Sequence, residues 1–234
     1  MLTDLELTKN FVYQHEHMTP GPVSMPNHEL EYNWIMYQSK LPWLEIQNLD
    51  LPYEEMLAEA KSLRHRFVAH RQNNSQGWLS LCVHGISAEQ TDAASAYGLA
   101  DDQVVYGYTE IQDLCPVTVN AFRHNFHYTS YMRIRYMLVE PGGYISPHTD
   151  GANHILGAVN ISLNNPTGCR LVTECGTVPF KHSGSAMLFN TSYRHAVWNN
   201  SDQDRIHMIV HGLPDPVFWQ RKVIDSFMQS SYIL

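Results

Sequence analysis

The sequence has no apolar run long enough to cross a bilayer as a helix. Its longest apolar stretches, around Ser185 to Phe189 and His207 to Val210, fall far short of the ~20 residues required. It lacks a basic, apolar leader: the start, M-L-T-D-L-E-L, carries acids, so no secretory signal is expected. Lys and Arg form no run, and 15 basic against 23 acidic residues give a net charge of −8 with histidine neutral. That balance argues against a nucleic-acid partner held by phosphate contacts. Cysteine is scarce, with only Cys82, Cys115, Cys169 and Cys175 and no C-x-x-C spacing. Reduced thiols are expected, with Cys169 and Cys175, which flank a hairpin signal, as the one pair left open. No internal repeat or low-complexity segment is evident. These absences point to a soluble, cytoplasmic protein of one domain spanning 1–234, with neither a membrane nor a nucleic-acid partner and no sign of an oligomer.

What the 234 residues do contain is 44% hydrophobic side chains, enough to fill one sizeable core. Residues 1–50, rich in Pro, Asn, Tyr and Trp, predict an extended segment with one short strand wrapped on the body. Residues 51–130 predict supporting elements: a helix from about 52 to 66 with acids in its first turn and bases in its last, a strand from Trp78 to Val83, a short helix or loop across 87–102, and a helix over 116–126 begun by Pro116. From 131 to 212 the pattern changes to short β-branched or aromatic runs, Y-M-R-I-R-Y-M-L-V-E through R-I-H-M-I-V-H-G, cut by P-G-G, N-N-P-T-G and N-N-S-D-Q-D. Six or more strands without intervening helices predict an antiparallel sandwich or barrel, and 213–234 predict a closing helix. The class is α+β, mainly β.

In P-G-G-Y-I-S-P-H-T-D-G, His148 and Asp150 share one face of an extended chain and can present an imidazole and a carboxylate to one point. Such a pair is also an ordinary surface feature at a turn, so a third ligand is needed. His195, in S-Y-R-H-A-V-W, opens a strand 47 residues after His148. Two histidines and one carboxylate on one side of a metal make the facial triad of non-haem Fe(II) oxygenases, whereas zinc more often takes four ligands, or three around a hydrolytic water. Arg205 discriminates. It lies ten residues past His195, beyond a turn, and two antiparallel neighbours would bring it near the metal face. An arginine inside a barrel needs an anion, and a dicarboxylate that chelates the metal could pair its far end with the guanidinium fork. A surface arginine paired with Asp202 or Asp204 is the plain alternative.

The series H-T-D, His195, Arg205 resembles the Fe(II)/2-oxoglutarate-dependent dioxygenases. More closely, I-R-Y-M-L-V-E-P-G-G-Y-I-S-P-H-T-D, G-S-A-M-L-F-N-T-S-Y-R-H-A-V-W and R-I-H-M-I-V are similar to the aspartyl/asparaginyl β-hydroxylase family over about residues 131–212. The resemblance implies a double-stranded β-helix (jelly-roll, cupin-like) core with flanking helices. It implies Fe(II) on His148, Asp150 and His195, and Arg205 on the distal carboxylate of 2-oxoglutarate. It further implies O2-dependent hydroxylation of an unactivated C–H, on an amino-acid side chain that is free or within a peptide, with release of succinate and CO2. The sequence departs from the family in several places. Animal members have glycine where Asp150 stands, so this chain has the fuller triad. A basic residue and a histidine that follow the first ligand are replaced by Ala158, Val159 and Asn160, and Asn160 is expected to take the hydrogen-bonding role. Met137 replaces a serine. Arg133 and Arg135 share its strand face by parity, so either can supply the missing charge to the cosubstrate, and His207 alternates with Arg205 and can face the same pocket. Asn190 and Thr191 replace acids before the second histidine, which bears on the substrate.

Trp78, His84, Arg64 and Arg66 precede the barrel, in the region expected to shape the substrate side, although Trp78 reads as readily as core. H-N-F-H at His124 and His127 has metal-like spacing but no acid or third ligand, and is read as structural. Two rivals stay open: a cupin-like metal enzyme that does not use 2-oxoglutarate, and a non-catalytic β-helix binding module.

Overall fold

The computed structural model describes residues 2–24, 32–181 and 183–232. In chain order, α1 (Asp4–His15) and α2 (Tyr32–Tyr37) precede β1 (Trp43–Glu45). Then α3 (Tyr53–Ser62) leads into β2 (Val68–Ala69), β3 (Ser75–Gly85) and β4 (Gly107–Tyr108). After α4 (Pro116–His124) come β5 (Tyr128–His148), β6 (Val159–Asn164), β7 (Cys169–Thr173), β8 (Gly176–Thr177), β9 (Ala186–Phe189), β10 (His195–Asn199) and β11 (Arg205–Pro214), and α5 (Pro216–Met228) follows.

Strand order is β1-β9-β6-β11-β5-β10-β7-β8, with β3 paired along β5 and carrying β2 and β4. The first half of β5 pairs with β11 (Arg205 opposite Val139), and its second half pairs with β10 (Val197 opposite Ile145). One bent strand therefore belongs to both layers of a jelly roll. The bend is P-G-G. Gly142 has φ +73°, and a Cβ on Gly143 would lie 2.8 Å from the Glu140 carbonyl oxygen and 2.9 Å from that of Gln76. Only glycine lets β3 approach this close while the chain turns from one sheet to the other.

Alternation along the strands sorts the side chains. On β11, Ile206, Met208 and Val210 join Ile134, Tyr136 and Leu138 of β5 under the helices, against Met56, Phe122, Trp219 and Phe227. The intervening residues, Arg205 and His207 on β11 and Met137 and Val139 on β5, point between the sheets. There Val139, Ile145, Leu171, Met187, Phe189 and Val197 form a second core. Both faces of these strands are buried, which is why the run reads as nearly continuous apolar sequence interrupted by a few polar residues.

The N-terminal segment differs from the expected extended chain. Thr3 and Glu6 form a capping box, and α1 lays Phe11 and Val12 on Val172, Ala196 and Trp198 of the outer β7/β10 surface. The signature T-x-x-E followed by helically spaced apolar residues was present, and the proline-rich stretch begins only at Pro20. Residues 25–31 of that segment lie outside the described residues. The helix expected to 66 ends at Ser62 and continues as one 3-10 turn, Arg64–Arg66, while 87–102 contains only 3-10 turns. All four cysteines are free, so the Cys169–Cys175 pair does not form. Cys169 opens β7, whereas Cys175 sits in the tight turn at its other end with its N–H on the Thr173 hydroxyl. Among the described residues no helix is long and apolar enough to cross a membrane.

Candidate active site

The register places His195 opposite His148. Their rings stand 4.4 Å apart between centroids, and each Nδ1 meets the carbonyl two residues earlier: Ser146 at 2.8 Å for His148 and Tyr193 at 2.9 Å for His195. A carbonyl only accepts, so Nδ1 carries the proton and each Nε2 lone pair is free. The two Nε2 atoms approach opposite oxygens of Asp150, 3.7 Å from His148 and 3.8 Å from His195. One ligand atom from each of the three residues lies within 4.8 Å of the others. Burial and the neighbouring His148 push the His195 imidazole down to about 4, so it is neutral and able to ligate. Two imidazoles, each with Nδ1 turned to a backbone carbonyl, and one carboxylate on one side are the donor set of an Fe(II) facial triad.

Asp150 lies just past the end of β5. Its N–H donates to the Thr191 carbonyl, and Arg71 donates to Oδ1 at 3.0 Å. The same guanidinium makes a bidentate pair with Asp92 at 2.8 and 2.9 Å, from a residue whose backbone is left-handed at φ +40°. The Arg71 hydrogen bonds hold the Asp92 carboxyl well below the usual range. A strained backbone that aims one cation at two carboxylates is a local cost met by the site.

Between the sheets, Arg205 is 3% exposed and has no carboxylate partner among the described residues. Its Nη2 lies 2.7 Å from His207 Nδ1, which also contacts the Asn160 amide at 2.9 Å. Arginine can only donate, so His207 Nδ1 accepts from it and Nε2 carries the proton; Asn160 Oδ1, itself an acceptor, then lies against Nδ1 without a hydrogen bond to it. The Nε–H of Arg205 and the Nε2–H of His207 are both buried without a partner. Phe180 lies across both, its ring centroid 4.5 Å from that of His207. Burial pushes the Arg205 guanidinium down to about 10. Two orphaned donors, one on a buried cation and one on the neutral imidazole beside it, fit an anionic group such as one carboxylate of a diacid.

A cavity of about 290 Å³ is lined by Asp150 and Arg71, by Arg133, Arg135 and His211, and by Met137, Asn160, Trp78 and Phe189. Sequence reasoning thus named three residues that converge (His148, Asp150, His195) and three that form a second polar set (Arg205, His207, Asn160). Arg135 lines the cavity with Arg133 and Asn160, two rungs along the β5–β11 ladder from Arg205. Arg64 faces elsewhere, bonded to Asp204 at 2.8 Å, which also removes the acid that Arg205 could have met at the surface. His84 packs between Tyr108 and Tyr131, and His127 stacks on Phe218. Three cavity residues were missed. His211 shares the parity of Arg205 and His207 and was legible in R-I-H-M-I-V-H. His70 and Arg71 reach the site from a loop that carries no periodic signal.

The sequence matches the family described as aspartyl/asparaginyl beta-hydroxylase over residues 51–213. A comparison with curated proteins finds no match. Among solved structures, a Pseudomonas putida prolyl-4-hydroxylase is similar with TM-score 0.42 and 13% identity, covering 74% of this chain and 93% of that one. An oxidoreductase of the 2OG-Fe(II) oxygenase family from Burkholderia pseudomallei gives TM-score 0.43 and 13% identity over 84% of this chain and 98% of that one. A Trichoplax adhaerens prolyl hydroxylase in complex with a hypoxia inducible factor peptide fragment gives 0.42 and 15% over 81% and 88%. With the family pattern running unbroken from α3's approach to the end of β11, and the two histidines and Asp150 meeting inside it, the chain belongs to the aspartyl/asparaginyl β-hydroxylase family.

Proposed function

We propose that the protein is an Fe(II)- and 2-oxoglutarate-dependent dioxygenase that hydroxylates an unactivated C–H of an amino-acid side chain, free or peptidyl. The observation that carries this is Arg205, a buried cation with an orphaned donor and no carboxylate partner among the described residues. His148, Asp150 and His195 would hold Fe(II). Arg205, with the Nε2–H of His207, would bind the distal carboxylate of 2-oxoglutarate, and the Arg205 bond to Nδ1 would fix the His207 ring, with Asn160 beside it. The bound metal and cosubstrate supply the O2-derived oxidant, with succinate and CO2 as co-products.

The chain's own residues account for the rest. The Nδ1 bonds to backbone carbonyls fix both imidazoles in the ligating tautomer before any metal arrives. Phe180 and the intersheet core exclude water around Arg205, which strengthens its pairing with a carboxylate. Arg71 holds the Asp150 carboxylate through Oδ1. The four free cysteines fit a cytoplasmic setting. The test is anaerobic titration with Fe(II) and 2-oxoglutarate: a metal-to-ligand charge-transfer band in the visible is expected, and it should vanish in Arg205→Ala while metal is retained. Full metal binding with no band in the wild type would favour the cupin-like alternative.

A further inference from the structure

Two cavities meet where β6 and β11 part. The last rung between these strands is Val159–Val210. Before Val159 the chain turns away from β11: the Leu156 N–H donates to the Met36 carbonyl at 2.9 Å, and the Gly157 N–H to the Phe189 carbonyl at 3.1 Å. β11 meanwhile runs on to Pro214 beside β5, with its register broken after His211 and again after Leu213. Such bulges bend a strand and increase its twist. Ala158 and His211, the first positions past the last rung, therefore stand outside the β6–β11 ladder, and the two strands form a fork.

The fork holds a second cavity, of about 340 Å³. Val210, Leu188, Trp219 and Val223 line it, all members of the core under the helices, whereas the cavity lined by Asp150 is faced by the intersheet residues Asn160 and Ile209. Ala158 and His211 line both. The cavities thus lie on opposite faces of the sheet and share a wall made of one methyl group and one imidazole. Among the described residues no charged side chain lines the second cavity. The Trp219 indole N–H is spent on the Phe126 carbonyl at 2.9 Å, and burial, with Arg135 and Arg133 nearby, pushes His211 down to about 3, so that its ring is neutral. At the rim, Tyr37, Met132, Ile155 and Leu213 are each more than a third exposed.

We propose that the substrate is an amino acid carrying an aliphatic chain, such as an N-acyl group, with its reacting part in the cavity lined by Asp150 and its chain passing between Ala158 and His211 into the second cavity. This deepens the dioxygenase reading above and rests on it. The shared wall decides the occupant: an apolar cavity that adjoins the reaction site at one methyl group and one ring suits an uncharged extension of the molecule that reacts. A polypeptide taking the same path would leave its amides without partners among apolar walls, a cost that an aliphatic chain does not incur. The Nδ1 of His211, buried without a partner, stands at the fork, where the single amide that joins head to chain would lie. Met36 and Met132 supply walls that adapt to a flexible chain. Each methylene buried there should tighten binding about fourfold.

The experiment is calorimetric titration of the full chain, kept anaerobic with Fe(II) and 2-oxoglutarate, using the N-acetyl and N-octanoyl derivatives of the twenty amino acids. For at least one amino acid the octanoyl form should bind at least tenfold more tightly than the acetyl form. Val223→Phe, which fills the cavity from α5, and Met132→Trp, which fills it from the exposed rim and leaves the core alone, should each cut that ratio to threefold or less. In both variants the 2-oxoglutarate Kd read from the charge-transfer band should stay within twofold and the melting transition should remain cooperative. Equal binding of the two forms for every amino acid, or an octanoyl gain that survives both substitutions, would overturn the assignment. So would tighter binding of the same amino acid placed between two leucines in a capped peptide, which would give the cavity to a protein segment, or a dimer in sedimentation that Leu213→Ser disperses, which would give it to a second copy of the chain. Absence of the band in the wild type would instead defeat the dioxygenase reading, and the octanoyl-to-acetyl ratio, measured again without metal and cosubstrate, would still report on the second cavity.

Discussion

Replacing Arg205 by Met should make the metal-free protein more stable while crippling cosubstrate binding. Burial lowers the guanidinium from 12.5 to about 10, which means that the fold disfavours the charged form. Both folded and unfolded chains carry the charge at pH 7, so the whole penalty, roughly 3 kcal/mol, acts against folding there. Met is similar in length, carries no charge and keeps most of the packing against Phe180. It forfeits the bond to His207 Nδ1, a loss of about 1 kcal/mol. The balance is a gain of roughly 2 kcal/mol, or about 4–8 °C in Tm for a chain of this size. Cosubstrate affinity should move the other way. Truncating one side of a buried charged pair costs about 2–5 kcal/mol, hence a 2-oxoglutarate Kd raised roughly 30-fold or more. Urea denaturation of the metal-free protein and the charge-transfer titration measure the two effects separately. A variant that is less stable than wild type yet binds 2-oxoglutarate normally would refute the reasoning, because it would make Arg205 a structural residue.

Gly143→Ala should destabilise by about 1–3 kcal/mol in urea, since its Cβ meets two backbone oxygens that cannot move without breaking the β3–β5 approach; an unchanged midpoint would mean that the bend relaxes freely. Arg71→Met should weaken metal binding about tenfold by chelator competition, as loss of a residue that orients a ligand does, and an unchanged metal affinity would confine Arg71 to Asp92. Acid should unfold the protein through its buried neutral histidines. His70 has a folded value near 3 against 6.5 unfolded, so the unfolded chain binds protons first as pH falls. Its contribution is intact above pH 6.5 and erodes from there down to about 3, reaching roughly 2–3 kcal/mol at pH 4.5. Denaturation midpoints at pH 7.5 and 4.5 should differ accordingly, and less so in His70→Gln; identical shifts in the two proteins would show that His70 is not a source of the acid sensitivity.

The part of the site that was legible in the sequence is the part carried by strands. His148, His195, Arg205 and His207 were found because parity and turn signals fix which side chains share a face, and because a charged residue in an apolar strand demands a partner. Asn160 came instead from the family resemblance, as the polar residue standing where the pattern has a basic one. Parity also put Arg133 and Arg135 on the Met137 face, but it could not tell that three and two rungs separate them from Arg205, since that depends on the β5–β11 register, which no single strand encodes. His70, Arg71 and Asp92 come from loops with irregular backbone, where a left-handed arginine bridges two acids, and nothing local announces such a contact. The helix α1 was hidden for a different reason: the proline-rich stretch after it coloured the reading of the whole segment, although its capping box was in plain view.

The three metal-ligand candidates are held by unlike means, and this bears on how the triad can vary. The two histidines sit on paired strands, opposite each other, and each ring is pinned through Nδ1 to a backbone carbonyl, so their Nε2 atoms converge by the fold itself. Asp150 comes after β5 has ended, is more than a third exposed, and owes the position of its carboxylate to Arg71, which arrives from the loop before β3. Loss of a histidine would open a gap in the strand-built half of the site. Loss of Asp150 would remove a group that the loop must hold and would leave the two imidazoles as they stand. In this chain the carboxylate and its Arg71–Asp92 clamp form one unit, and because Arg71 and Asp150 both line the cavity, that unit links metal binding to the cavity wall.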